Sequence, residues 1–402
     1  MNKYNWNSKN SEMKSKKKWV LIPGVFLGFL LISTWMLMAR NESQYVNNDS
    51  GFQVSELLGE SVSEGFALAV KPVAFNFPED HGPHPNFRNE WWYYTGNLED
   101  STGRSFGYQF TLFRNALSPV QFENSSNWRT NQIYMGHFAL TDVEENRFFF
   151  SERFSRGNAQ LAGAMTVPFR VWLEDWEVTG DAGKTKFPQQ IKAQTEDVVL
   201  SLELSSSKPL VLQGNQGHSQ KGSRPGNASY YYSFTRMQTH GTLKIGDREF
   251  NVHGSSWMDR EWSTSALEKS QKGWDWFALQ LSDGREIMLY QIRRDNGKAD
   301  LTSKGVIINE SGHSIKLEWK DLDLKILSSW TSPETGIRYP SGWKLNIPSE
   351  NLDLEIKPLI ENQELRTSVN YWEGAVEVQS LQNDISLNGK GYVELTGYTR
   401  TN

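Results

Sequence analysis

The sequence predicts an all-β fold for most of its 402 residues. Aromatic residues make up 13% of the chain and include 16 Trp, and aromatic side chains are enriched in strands. Apolar and polar residues alternate over short stretches, so that the apolar ones share one face of a strand. Residues 106–112 and 198–204 show this alternation clearly. Many short strands with few helices indicate a sandwich or a barrel.

Short turn signals separate many of the predicted strands. Asp283-Gly284, Asn296-Gly297 and Asn388-Gly389 are dipeptides typical of tight hairpin turns. Besides the two stretches above, the alternation predicts strands at 91–98, 133–141, 274–281, 286–293 and 392–398.

The N-terminal segment predicts a membrane anchor and an exported body. A lysine cluster within residues 14–18 precedes an uncharged apolar run at residues 19–39, and Arg40 follows it. A helix of that length spans roughly 30 Å, the thickness of a bilayer core. The lysine excess orients residues 1–18 to the cytoplasm. We therefore predict a single-pass protein of the inner membrane with its body on the periplasmic side; cleavage of residues 19–39 as a signal peptide, giving a secreted body, is the alternative.

Composition along the rest of the chain predicts its domain organisation. Residues 40–70 are rich in Asn, Ser, Glu and Gln and predict a polar tether. A long Gly- and Ser-containing loop at 213–227 precedes a boundary that we expect near Gly241. The body would then consist of an N-terminal domain at 71–240 and a C-terminal domain at 241–402, each about as long as one barrel of ~160 residues requires.

Several classes of function are excluded or disfavoured. The chain has no Cys, which excludes disulfides, thiol catalysis and Cys-based zinc sites. Its net charge of -5 disfavours nucleic acid as a partner. The Gly-containing segment 217–223 lacks the Lys that follows the second Gly of a phosphate loop, and no Gly-x-Ser-x-Gly motif supports a serine hydrolase. We expect neither a metal nor a cofactor.

Carboxylates lie among tryptophans in two segments, 257–262 (Trp-Met-Asp-Arg-Glu-Trp) and 273–277 (Gly-Trp-Asp-Trp-Phe). A carboxyl group among bulky aromatic side chains tends to have a raised pKa, which suits a proton donor. The alternative for Asp259 and Glu261 is a surface ion pair with the neighbouring arginine. Asp275 either shares the apolar face of its strand or lies at a strand end in solvent.

A second cluster, Asn89-Glu-Trp-Trp-Tyr-Tyr-Thr-Gly96, contains four consecutive aromatic residues on a predicted strand. Successive side chains of a strand point to opposite faces, so each face carries two of the rings. One face can pack the core while the other lines a pocket or seals a domain interface.

These two clusters resemble the AttH-like family, which includes carotenoid 1,2-hydratases and is often described as secreted hydrolases. The resemblance covers roughly residues 72–400, and the order and spacing of its motifs make chance agreement improbable. The further motifs are Phe106-Gly-Tyr-Gln-Phe-Thr-Leu-Phe-Arg114, Gly136-His-Phe-Ala-Leu-Thr-Asp142, Ala228-Ser-Tyr-Tyr-Tyr-Ser233, Tyr371-Trp-Glu-Gly374 and Gly391-Tyr-Val-Glu-Leu-Thr-Gly-Tyr398.

The resemblance implies two tandem lipocalin-like β-barrel domains behind the N-terminal transmembrane helix. In the hydratases, water adds to a terminal isoprenoid double bond without a cofactor, so a carboxylic acid must protonate the alkene and aromatic faces must stabilise the cation. Related fungal proteins hold their ligand between the two domains. The candidate catalytic residues are Asp259, Glu261, Asp275 and Tyr290, and the candidate ligand-binding residues are Glu90, Trp92, Tyr94, Trp257, Trp274 and Trp276.

Three functions remain open at this point. The first is a cofactor-independent hydratase acting on a polyene or other lipophilic substrate, which the carboxylates among aromatic residues favour. The second is a non-catalytic carrier that holds a hydrophobic small molecule or lipid beside a transporter. The third is a structural partner of a membrane complex, because relatives of this kind often accompany ABC-transporter permeases.

Overall fold

The computed structural model describes residues 64–120, 129–184, 186–264, 267–382 and 386–400. Over these ranges the chain is all-β, as predicted, with short 3-10 helices at Glu79–His81, Trp319–Asp321 and Pro348–Glu350. The predicted cytoplasmic tail, the anchor and most of the tether lie outside the described residues. Among the residues that are described, no helix has the length and apolar character needed to cross a bilayer.

The first sheet contains thirteen of the strands in the described chain, all paired antiparallel. Its strands are β1 (Asn89–Asp100), β2 (Ser105–Ala116), β3 (Gln132–Asp142), β4 (Arg147–Arg156), β5 (Ala162–Met165), β6 (Phe169–Leu173), β7 (Trp176–Gly180), β8 (Gln189–Gln194), β9 (Val198–Ser206), β10 (Val211–Leu212), β11 (His218–Gln220), β12 (Ala228–Ile245) and β13 (Arg248–Ser263). Their order is β4-β3-β2-β1-β13-β12-β9-β8-β7-β6-β5, with β10 and β11 paired to β12. The sheet curls over its own apolar face, because the ring of Trp176 on β7 lies 5.9 Å from that of Phe110 on β2.

The second sheet contains ten strands of the described residues and is also antiparallel. Its strands are β14 (Gln271–Leu281), β15 (Glu286–Arg294), β16 (Lys304–Ile308), β17 (Ser314–Glu318), β18 (Asp323–Thr331), β19 (Arg338–Ile347), β20 (Leu352–Pro358), β21 (Glu364–Arg366), β22 (Asn370–Ser380) and β23 (Asn388–Leu395). Their order is β17-β16-β15-β14-β23-β22-β20-β19-β18, with β21 paired to β22. Phe277 of β14 contacts Trp343 of β19 edge to face at 5.4 Å, so this sheet also curls around a core.

Each sheet has one face that points away from its own core, and these two faces pack against each other. Alternate residues of β1 show this division, since Trp92 and Tyr94 belong to the first core whereas Tyr93 belongs to a separate apolar cluster. That cluster also contains Trp276 of β14, whose neighbour Phe277 lies in the second core. The period of two along each strand therefore gives both sheets a second apolar face, and the two faces pack together.

The structure corrects the predicted domain boundary near Gly241. Gly241 lies inside β12, and the chain changes sheet only between Ser263 and Gln271. Glycine is needed at 241 for a close approach of strands, since a Cβ there would lie 2.1 Å from the carbonyl oxygen of Ser201. The folded body also begins before Lys71, because Ala69 is fully buried.

Candidate active site between the two sheets

A cavity of about 160 Å³ lies between the apposed faces of the two sheets. This volume is close to the ~150 Å³ of a protein cavity that holds benzene, so an aromatic ring or an isoprenoid unit fits. In the first sheet, four cavity-lining residues are successive register partners across the strands: His137, Thr111, Tyr93 and Asp259. In the second sheet, four others form a matching row: Tyr290, Trp276, Glu394 and Glu373.

The motif Trp-Met-Asp-Arg-Glu-Trp on β13 serves both faces of the first sheet. Its odd-numbered residues face the second sheet, and two of them, Asp259 and Glu261, line the cavity. Its even-numbered residues include Met258 and Trp262, which pack into the first core. Strand alternation thus places the carboxylates of this motif on the cavity side while its apolar positions hold the strand in place.

Asp259 is buried and accepts hydrogen bonds from three side chains of the described structure. The hydroxyl of Tyr231 donates to Oδ2 at 2.5 Å, and Ser233 Oγ and Trp257 Nε1 donate to Oδ1 at 2.5 Å and 2.7 Å. Burial raises the pKa of Asp259 to about 7, although these three donors favour the carboxylate. Asp259 therefore exchanges its proton near neutral pH.

Glu261 lines the cavity as one half of an ion pair. Lys221 Nζ lies 3.1 Å from Glu261 Oε1, and Ser229 Oγ also donates to this oxygen. The ammonium lies 4.4 Å from the ring centroid of Tyr290. Burial alone would lower the pKa of Lys221, but the charges of Glu261 and Tyr290 outweigh it and the pKa is raised. Lys221 is therefore a cation, and Glu261 is the anion that compensates it.

Glu394 and Glu373 form a pair of carboxyl groups directly opposite each other on β23 and β22. Like charges in such positions repel, which favours protonation. Burial raises the pKa of Glu394 to about 7 and that of Glu373 well above its usual range. Trp274 Nε1 donates to Glu394 Oε2 at 3.0 Å, and the Tyr93 hydroxyl donates to Glu373 Oε1 at 2.6 Å. The cavity thus contains carboxylic acids that hold their protons near neutral pH.

Aromatic rings form much of the remaining wall. Trp276 contacts Tyr93 edge to face at 5.2 Å and Trp257 at 6.2 Å. Its indole nitrogen donates to the hydroxyl oxygen of Tyr231 at 3.3 Å, which fixes the orientation of the ring. Such rings pack against apolar ligands, and their faces attract cations.

Six of the predicted site residues line this cavity, namely Glu90, Asp259, Glu261, Trp274, Trp276 and Tyr290. Trp257 lies behind them, where its indole orients Asp259. The structure does not place Asp275, a predicted catalytic residue, at this cavity. Asp275 shares the face of Phe277, as one predicted register required, but that face is the second core. There its carboxylate lies 2.9 Å from Arg293 Nε.

The structure also places Trp92 and Tyr94, two predicted ligand-binding residues, away from the cavity, because both side chains point into the first core. Trp92 Nε1 donates to the carbonyl of His81 at 3.0 Å, and the Tyr94 hydroxyl donates to Gln189 at 2.6 Å. The alternate residues of the same strand, Trp91 and Tyr93, line the cavity instead.

Glu90 borders the cavity but does not offer its carboxylate to a ligand. Both Arg114 and Arg260 form ion pairs with it, and the side chain is fully buried. Burial alone would raise the pKa of Glu90, but the two guanidinium groups hold it well below its usual range. Glu90 is therefore a permanently charged structural group.

The sequence did not single out several polar residues of the cavity: Glu373, Glu394, Tyr231, Lys221 and His137. Glu373, Glu394, Tyr231 and His137 lie in motifs on which the family resemblance depends, so the sequence contained a signal for these four residues. Within the described ranges, no group of three or more His, Asp or Glu side chains is arranged to hold a metal ion.

Comparison with known proteins agrees with this fold. The AttH-like family model matches residues 68–398. A crystal structure of an AttH protein from Nitrosomonas europaea is 34% identical and has a TM-score of 0.74, covering 83% of this chain and 100% of that one. Kievitone hydratase from Nectria haematococca shares the fold at 16% identity and a TM-score of 0.60, covering 83% of this chain and 98% of that one.

A curated relative is similar over a shorter region. The dehydratase AsqC of Emericella nidulans is 24% identical over 165 residues, which are 40% of this chain and 45% of that protein. The chain therefore matches less than half the length of this relative. The match of the family model over most of the chain carries the assignment: the chain belongs to the AttH-like family.

Proposed function

We propose that the protein adds water to, or removes water from, a C=C bond of a hydrophobic substrate bound between the two sheets. The observation that carries this proposal is the placement of two buried carboxyl groups, Asp259 and Glu394, on an aromatic-walled cavity, where burial raises the pKa of each to about 7. General acid catalysis is most efficient when the pKa of the acid lies near the working pH. Similarity to a hydratase in fold and to a dehydratase in sequence supports this class of reaction.

Glu394 is the proton donor in this proposal. Asp259 accepts hydrogen bonds from three described side chains, an environment that suits its ionised form, whereas Glu394 accepts one from Trp274. Glu394 protonates one alkene carbon, and positive charge develops on the neighbouring carbon. The face of Trp276 and the carboxylate of Asp259 stabilise that charge, and water then adds to the cation. Dehydration follows the same steps in reverse.

The charges of the cavity favour a neutral substrate. Lys221 is compensated by Glu261, so this cation does not attract an anionic ligand. The carboxyl groups of Asp259, Glu373 and Glu394 would repel an anion once ionised. A polyene or a prenylated aromatic molecule fits these conditions, since both are apolar and carry electron-rich double bonds.

The test is turnover of two probes, kievitone and the carotenoid lycopene, by the full chain in detergent and in water labelled with heavy oxygen. We expect a product heavier than the substrate by one labelled water. Glu394→Gln should lower the rate by roughly 100-fold, the usual contribution of a general acid. Asp259→Asn should lower it by a similar factor, about 100-fold, because it removes the charge that stabilises the cation. Glu377→Gln, on β22 but outside the cavity, is the matched control and should keep the wild-type rate. Unchanged probes, or undiminished turnover by both acid variants, would refute the proposal.

A carrier of hydrophobic molecules is the alternative, favoured by the apolar lining of the same cavity. Organic extraction of the purified protein should then recover a lipophilic molecule that the protein leaves chemically unchanged. The variants Glu394→Gln and Asp259→Asn would bind that molecule as well as the wild type does. Loss of turnover with retained binding separates the enzyme from the carrier.

We also propose that residues 19–39 hold the body outside the cytoplasm, beside an ABC-transporter permease. The lysine cluster before this apolar run and its length support the orientation. Protease added to spheroplasts should digest the body, and co-purification in mild detergent should recover the permease. A body that resists protease until the membrane is broken would contradict the orientation.

A further inference from the structure

A second set of proton-transfer groups borders the same cavity on the side of β3 and β22. We propose that Tyr371, His137 and Glu152 form a proton relay in which Tyr371 is the catalytic base for the water that adds to the substrate. This inference rests on the proposed hydration and names the group that accepts the second proton of the reaction.

Hydrogen bonds connect the three side chains in series. His137 Nδ1 lies 2.7 Å from the hydroxyl oxygen of Tyr371, and His137 Nε2 lies 2.9 Å from Glu152 Oε1. His137 and Tyr371 both line the cavity and are almost completely buried. The side chain of Glu152 lies behind them and is 17% exposed. The series therefore leads from the cavity towards solvent.

The hydrogen-bond partners fix the direction in which each group donates. Burial alone would raise the pKa of Glu152, but hydrogen bonds from His137 and Ser368 outweigh it and lower the pKa. Glu152 is therefore a carboxylate, which only accepts, so the imidazole hydrogen must be on Nε2. In the proposed relay Nδ1 carries no hydrogen and accepts, so Tyr371 donates its O–H to it. A carboxylate that orients an imidazole, which in turn accepts from a hydroxyl, is an arrangement that activates the hydroxyl.

Tyr371 keeps its hydrogen in the resting protein. Burial raises the pKa of Tyr371 well above its usual range. The phenol therefore does not act as a free phenolate. It accepts a proton only while its own passes to His137.

The base of the relay and the proposed acid lie on neighbouring strands of the second sheet. Tyr371 is two positions from Glu373 on β22, and Glu394 of β23 is the register partner of Glu373. Tyr371 and Glu394 both line the cavity. Water addition needs a proton delivered to one carbon and another removed from the attacking water. Two separate groups on the cavity wall meet both needs.

The proposed step balances in protons and bonds. Glu394 gives its proton to one alkene carbon, so the π bond breaks and a C–H bond forms. A water oxygen bonds to the neighbouring carbon and passes one proton to the Tyr371 oxygen, while the Tyr371 proton moves to His137 Nδ1. The imidazolium releases its Nε2 proton to solvent past the carboxylate of Glu152, and exchange of the remaining ring proton with solvent restores the hydrogen on Nε2. Glu394 regains a proton from solvent. The sum is alkene plus water giving alcohol.

The simpler role for these residues is to hold the two sheets together, because His137 and Glu152 lie on the first sheet and Tyr371 on the second. Variants must therefore separate proton transfer from packing. Tyr371→Phe removes the hydroxyl and keeps the ring. Tyr392→Phe is its matched control, since Tyr392 is buried between the same sheets but lies outside the cavity.

The experiment measures hydration of kievitone and lycopene by the full chain in detergent. We expect Tyr371→Phe to lower kcat by about 100-fold with little change in KM, and Tyr392→Phe to leave both near wild type. His137→Ala should lose activity to a similar extent and regain part of it when imidazole is added. A merely structural role would give no rescue by imidazole and no difference between the two tyrosine variants.

The outcomes distinguish the two proposals. Active wild type with equally active Tyr371→Phe overturns the relay alone, and a wild type that leaves both probes unchanged overturns the relay together with the hydration. Nitrogen NMR of the resting wild-type protein needs no variant, so a folding defect in a variant cannot affect the result. We expect the His137 hydrogen on Nε2 and none on Nδ1; a hydrogen on Nδ1 would overturn the relay.

Discussion

Replacing Asp259 by Asn should change the pH dependence of stability. The pKa of Asp259 rises from the ordinary value of 3.8 to about 7 in the folded protein. A difference of about 3 in pKa corresponds to about 4 kcal/mol of free energy of unfolding. The full difference applies because Asp259 is only 4% exposed, so solvent does not screen the carboxyl group.

Whether stability rises or falls with pH depends on which state, folded or unfolded, loses the Asp259 proton first. At a pH below the ordinary pKa, the carboxyl group is protonated in both states and its ionisation has no effect. As the pH rises towards about 7, the unfolded chain ionises while the folded protein does not, so the wild type loses stability. Above that range the loss reaches about 4 kcal/mol. An amide cannot ionise, so Asp259→Asn removes this dependence of stability on pH.

Denaturant unfolding of wild type and variant, followed by tryptophan fluorescence over a pH series, measures this difference. Near pH ~4 the variant should be less stable by about 1 kcal/mol, since the amide loses an acceptor for one of the three donors. Near pH ~9 it should be more stable than the wild type by about 3 kcal/mol. Glu377→Gln should show no such crossing. A stability difference that stays constant with pH would refute the raised pKa of Asp259.

Three further substitutions test the placement of residues around the cavity. Glu90→Gln removes the carboxylate that two buried arginines share and should lower the free energy of unfolding by about 3–5 kcal/mol in denaturant titrations; a loss below 1 kcal/mol would contradict its structural role. Asp275→Asn should lower the melting temperature by removing the partner of Arg293, yet leave turnover unchanged, because the residue lies outside the cavity. Trp276→Phe should lower turnover by roughly tenfold through the smaller ring face, with the fold intact by circular dichroism; wild-type turnover would exclude Trp276 from cation stabilisation.

Strand positions were predictable because the alternation of apolar and polar residues is a local signal. The predicted strands at 91–98, 133–141 and 274–281 all lie within observed ones. Which face of a strand points to the core is not a local property. In β1 both faces carry aromatic rings, so the pattern could not tell Trp91 and Tyr93 from Trp92 and Tyr94. The second sheet decides this, because it covers only one of the two faces.

The composition of the candidate site was predictable only in part for a similar reason. Asp259 and Glu261 are close to tryptophans in the sequence, and this proximity made them candidate catalytic residues. Glu373 and Glu394 acquire their raised pKa only when β22 and β23 pair and the first sheet buries them. His137 meets its tyrosine partner across 234 positions of the chain. Contacts of this range depend on how the sheets pack, which the sequence pattern does not specify.

The role of the cavity is tested best by following solvent hydrogen during turnover in deuterated water. If Glu394 protonates the double bond, the alcohol formed from kievitone or lycopene carries one deuterium on the carbon next to the new C–O bond, and Glu394→Gln forms this product at least ~100-fold more slowly. An alcohol without carbon-bound deuterium, or equal rates for wild type and Glu394→Gln, would contradict acid catalysis in the cavity.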